Sequence, residues 1–147
     1  MLFRFITAQE YLAARVSGIE TLEKRPGRFE TSLEDASFDA WIKQYRPDEN
    51  AVNNQISYYD KGELVAMLLD MEIRADSGGV KSLDDVMRYL WTDFYKMGRN
   101  YTPADLQKVS EMMAGKSLED FFAKYVRGTA DIDWARSEEH TSELQSH

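Results

Sequence analysis

The chain has 147 residues, enough for one domain, with 43% hydrophobic and 30% charged residues, the balance of a globular rather than a disordered protein. A formal net charge of −8 argues against a nucleic-acid partner, whose phosphates need clustered Lys and Arg, and the absence of cysteine excludes disulfides, thiolate nucleophiles and Cys-based zinc sites. The longest unbroken apolar run, Leu64 to Leu69, is far short of the ~20 residues of a membrane helix, and Met1–Ile6 has no cleavage-like site, so neither a membrane partner nor a signal peptide is expected.

One start signal recurs along the chain: Ser or Thr, with an acid three residues later, opening an apolar run. It occurs at Thr7/Glu10, Ser32/Asp35, Ser57/Asp60, Ser82/Asp85, Thr102/Asp105 and Ser117/Asp120. The hydroxyl accepts from an orphan backbone N–H, and the acid complements the positive end of the helix dipole. These starts predict helices at 7–24, 57–76, 82–97, 102–114 and 117–127, with a shorter one within 32–45. Leu64, Leu68 and Met71 form one helical stripe, Val65, Leu69 and Ile73 a second, and Val86, Leu90 and Phe94 a third. Pro26-Gly27, Gly78-Gly79, Gly98, Gly115 and Gly128 supply stops. Alternating β-branched runs are almost absent, so the fold class is all-α. The tetrapeptide Ser-Leu-acid-Asp at 32, 82 and 117 reads as repeated capping chemistry rather than as a helical repeat.

Residues 136–147 have no apolar period and resemble the translation of a common sequencing-adapter oligonucleotide. They are expected to be a non-native, disordered tail following residues 1–135. Setting aside Arg136, Glu138, Glu139 and Glu143 moves the net charge from −8 to −6, and both histidines, His140 and His147, leave with them. Residues 1–135 then hold no His and no Cys, which excludes a Ser-His-Asp triad and a His-based metal site built from this chain.

Most clusters have structural readings. The oxygen-rich loop Tyr45–Asn54 lacks the ligand ladder, central Gly and closing Glu of a calcium loop, and reads as a turn-rich connection. Lys24, Arg25 and Arg28 follow a helix C-terminus, where cations are expected without any phosphate ligand. Asp84/Asp85 and Glu119/Asp120 fall in first helical turns and read as solvated. Ser57-Tyr58-Tyr59-Asp60-Lys61-Gly62 differs, because it sets two phenols in the first turn of a helix. There a side chain leans back past the N-terminus and can reach a cleft beyond it, although on spacing alone the pair reads as an ordinary aromatic anchor. Gly62 costs the helix ~1 kcal/mol relative to Ala and calls for a reason, such as close backbone approach.

Several stretches, in order, resemble the glycyl aminopeptidase family of zinc metallopeptidases, part of the gluzincin group. They begin with Thr7–Leu12, Pro26-Gly27-Arg28, Ser32–Lys43, Tyr45–Asn50 and Ile56–Gly62. Leu69–Arg74, Lys81–Met87, Phe121-Phe122 and Tyr125–Thr129 continue the series. The resemblance implies the helical lobe of a thermolysin-like catalytic domain. In that family zinc is held by a His-Glu-x-x-His helix and a later Glu, with peptides as substrates. The sequence contains no His-Glu-x-x-His. The chain is therefore expected to be an internal fragment truncated at both ends, missing an upstream catalytic segment as its partner, with no metal ligands of its own and no activity alone. Zinc would be a cofactor of the parent only.

Related gluzincin aminopeptidases carry a Tyr directly before Glu-Lys-Gly or Asp-Lys-Gly, and Tyr59-Asp60-Lys61-Gly62 matches that pattern. The resemblance implies that Tyr59 donates to the oxyanion; Tyr58, about 100° round the helix, cannot face the same point equally and is left a substrate-lining or packing role. The alternative is a self-contained acidic all-α interaction module without catalysis.

Overall fold

Thr7 opens the first helix by reciprocal capping. Its hydroxyl accepts from Glu10 N at 3.1 Å, and its own N–H donates to Glu10 Oε2 at 2.8 Å. The computed structural model describes residues 7–42 and 49–134, which divide between two compact units, Met1–Leu64 and Val65–His147. Among the described residues every regular element is helical, so the fold is all-α.

In the first unit, α1 spans Ala8–Glu23 and a 3₁₀ turn follows at Pro26–Phe29. Arg28 donates to the carbonyls of Glu23 and Arg25 and lies over the Phe29 ring at 4.1 Å, so Arg28 of this basic cluster closes a helix end. Ser32 caps α2, Leu33–Phe38, accepting from Asp35 N at 3.0 Å. This helix is shorter than expected; the remainder of the predicted span runs into residues 43–45, outside the described residues. The supposed turn-rich connection holds a helical turn, α3, Ala51–Asn54, which packs on the 3₁₀ turn. Gly27 makes that packing fit: a Cβ there would lie 2.6 Å from Gln55 N. Thr31 Oγ1 adds a bond to Asn54 O at 2.5 Å. The long helix α4, Tyr58–Asp76, begins in this unit. Leu22, Ala36, Ala40, Ile56 and Leu64 are buried here.

In the second unit both expected stripes of α4 are buried at Val65, Leu68, Leu69 and Ile73, which leaves Met71 at the margin. Helix α5, Leu83–Asp93, packs against α6, Pro103–Ala114. Val86 and Leu90 of α5 and Val109 and Ala114 of α6 are buried, as is Ser110, whose hydroxyl donates to Leu106 O at 2.8 Å. The predicted helix 82–97 stops earlier, because the chain tightens into a 3₁₀ turn at Tyr95–Met97. The last predicted helix, 117–127, is one α-turn, α7 at Glu119–Phe121, continued by a π-turn at Phe122–Val126. Its start differs as well. Glu111 of α6 accepts from Leu118 N at 3.0 Å, and Ser117 Oγ accepts from Glu119 N at 3.3 Å, so Asp120 is not the capping partner. The tail 136–147, with His140 and His147, lies outside the described residues.

Candidate functional site

The first turn of α4 is built by its cap. Ser57 Oγ accepts from Asp60 N at 3.2 Å and Ser57 O from Lys61 N at 3.1 Å, which fixes where the 19-residue helix begins. The next two residues are the phenols. Tyr58 is half-buried, Tyr59 is 60% exposed, and their ring centroids lie 4.2 Å apart at an interplanar angle of 31°. Adjacent helical positions are about 100° apart, so the contact brings together two side chains that leave the helix in different directions. One turn of helix thus presents an accessible phenol with a neighbouring ring against it. A phenol is an O–H donor near neutral pH, suited to a carbonyl oxygen or an oxyanion and ill suited to act as a base.

Two neighbours in this turn bear on the site. Lys61 is 2% exposed, although Lys is almost never buried and one side of this turn faces solvent. Its neighbours in sequence give no sign of this, since Asp60 and Gly62 are compatible with an exposed turn. Gly62 does not answer to close backbone approach: a Cβ there would meet Leu33 Cδ1 at 3.7 Å, an ordinary contact. Arg15 of α1 forms an ion pair with Glu63 of α4.

The other ionisable clusters are structural. The Asp85 carboxyl is held below its usual range by the Ser82 N–H, at 3.0 Å, with help from Lys81 and Arg88. The hydroxyl and N–H of Thr102 do the same for Asp105. Gln107 and Arg127 lower Glu119, donating to it at 2.7 and 2.6 Å. Asp85 and Glu119 are therefore working helix-end ligands rather than merely solvated acids. Lys116 pairs with Asp76 at 2.5 Å and lies 3.7 Å from the buried Glu72. At α3, Asn53 Nδ2 donates to Oδ1 of Asn50, the residue that precedes the helix, at 2.7 Å.

Residues 2–65 match the family of M61 glycyl aminopeptidases. The match spans fewer than half of the residues but includes the capped turn with Tyr58 and Tyr59. It relates this part of the chain to aminopeptidases. Leu69–Arg74, Lys81–Met87 and Tyr125–Thr129 lie beyond it. No curated protein and no solved structure matches the chain.

The described residues do not fit zinc. No three His, Cys, Asp or Glu side chains among them converge where they could hold a metal ion. Structural zinc needs four such ligands and catalytic zinc about three.

Proposed function

We propose that the chain is the helical part of a zinc aminopeptidase catalytic domain of thermolysin-like type, with Tyr59 as a transition-state donor. The observation that carries this reading is the exposed Tyr59 phenol at the capped start of a long helix, inside the matched residues 2–65. As water adds to a peptide carbonyl, the oxygen gains negative charge. The Tyr59 O–H donates a hydrogen bond to that oxygen and keeps its proton, while the positive end of α4 favours the same charge. Tyr58, in contact with the Tyr59 ring, restricts its rotamers and lines the approach. In this reading the metal belongs to a His-Glu-x-x-His segment that this sequence does not contain, the chain by itself is inactive, and the substrate is a peptide with a free, glycyl N-terminus.

Two measurements test this. In a longer polypeptide carrying His-Glu-x-x-His ahead of this sequence, Tyr59→Phe should lower kcat about 10²- to 10³-fold with little change in KM. Unchanged turnover would remove Tyr59 from the chemistry. The purified 147-residue chain should not hydrolyse glycyl peptides with or without added zinc, and activity there would overturn its description as an incomplete catalytic unit.

A further inference from the structure

The aromatic residues around the end of α5 are not used by the site above. Met87, Trp91 and Tyr95 follow one another at four-residue spacing. Trp91 and Tyr95 stack at 4.3 Å with their planes 17° apart. With Leu90 and Tyr101 they wall a pocket of about 360 Å³, a size suited to a small ligand. Trp91, Tyr95 and Tyr101 remain 51%, 66% and 52% exposed, a large aromatic area left to solvent.

The polar part of the wall is Arg99 with Asn100. Gly98, at a φ of 68°, turns the chain back so that Arg99 N donates to Phe94 O at 3.0 Å and the guanidinium donates to Asp93 O at 2.7 Å. Arg99 also lies over the Phe94 ring at 4.9 Å, and Tyr101 meets that ring edge-on at 6.5 Å. The cation is thus held in place before any ligand arrives. With one side-chain bond to the described residues, most of the five N–H donors of the guanidinium are left for other partners. Of the acids nearby in sequence, Asp93 accepts from Thr92 Oγ1 at 2.7 Å, and Asp105 caps α6 through Thr102 while also interacting electrostatically with Arg99. Among the described residues Arg99 is the one charged side chain lining the pocket, in a chain whose net charge is −8.

We infer that this pocket binds a monocarboxylate with an aromatic or bulky apolar body. The body lies against Trp91, Tyr95 and Tyr101, and the carboxylate takes the Arg99 guanidinium with Asn100 as a second donor. Two sources share this chemistry: a free aryl acid and the C-terminal residue of a peptide.

The test is NMR titration of the full 147-residue chain, following the Trp91 indole N–H, assigned with Trp91→Phe. The probes are N-acetyl-L-phenylalanine, its neutral carboxamide, and acetyl-Ala-Ala-Phe with a free C-terminus. The acid should saturate the shift and bind about three- to tenfold more tightly than the carboxamide, a difference that salt removes. Arg99→Gln should equalise acid and carboxamide. Because the acid-to-carboxamide ratio is measured first on the unaltered chain, the result stands even if that variant is less stable. Tighter binding of the tripeptide than of the single residue identifies a peptide end, and weaker binding identifies a free acid. Equal binding of acid and carboxamide, or no saturable shift, overturns the inference.

Discussion

Asp70 joins two helices with a single carboxylate: Oδ1 accepts from the backbone N–H of Leu83 at 2.8 Å, and Oδ2 accepts from Arg74 Nε at 2.8 Å. The Leu83 N–H is one of the donors that α5 cannot satisfy internally, and a carboxylate suits the positive end of its dipole. The same ion pair pushes the Arg74 guanidinium further above its usual range. Asp70→Ala should therefore cost about 1–2 kcal/mol in urea unfolding, because it strips a charged acceptor from a helix start. Asp70→Asn should cost less, since the amide oxygen can still accept from Leu83. Equal losses would show that the bond to Leu83 contributes little.

Gly27 and Gly62 should respond in opposite directions to the same change. At Gly27 a methyl group would drive into the backbone of Gln55, so Gly27→Ala should destabilise by about 1–3 kcal/mol. At Gly62 the methyl has room beside Leu33, so Gly62→Ala should stabilise by up to ~1 kcal/mol through helix propensity. Paired thermal melts decide this. Loss of stability at Gly62 would mean that the first turn of α4 needs glycine for a reason other than space.

Acid should weaken the second unit through specific carboxylates. Asp85, Asp105 and Glu119 all have folded pKa values below their ordinary ones. A lowered folded pKa contributes stability that is complete above the unfolded value, near pH 4, and is lost as pH falls through the folded value. The melting temperature should thus be flat in this contribution from pH 7 to about 5 and fall below pH 4. Asp105→Asn should lower Tm at pH 7 and flatten the acid limb. A variant limb parallel to that of the parent would rule out this cap as a source.

Arg127 closes the last turn on α6 by donating to Gln107 Oε1 at 2.8 Å and to Glu119 Oε1 at 2.6 Å. These groups are partly exposed, so Arg127→Ala should cost only about 0.5–1 kcal/mol overall. Its clearer effect should be local. Amide exchange across residues 119–127 should quicken while that of 83–93 stays unchanged. Uniform acceleration would place Arg127 in the global stability of the unit.

Helix starts were readable wherever the cap and its partner are three residues apart, as with Thr7/Glu10, Ser32/Asp35 and Thr102/Asp105. The start at Ser117 departs from the local pattern because its acceptor, Glu111, comes from the preceding helix, and nothing local in the sequence marks that bond. The end of α5 is obscured for a related reason. Phe94 continues the apolar stripe, but the backbone leaves the helix at Asp93 and tightens toward Gly98. At the candidate site the two phenols and their cap are legible from Ser57-Tyr58-Tyr59-Asp60. Burial of Lys61 was not legible, because it depends on what packs around the turn rather than on the turn itself.

The capping bonds at Thr7, Ser32, Ser57 and Thr102 each span three residues and close before any distant part of the chain need arrive. Helix nucleation is the slow, unfavourable step of helix formation, and a cap that fixes the first turn lowers it. A chain with this arrangement should gain its helices on the microsecond scale and spend the rest of its folding time on docking them. Speed in the early steps is thus written into the hydroxyl-to-acid spacing, independently of whether the assembled units carry any chemistry.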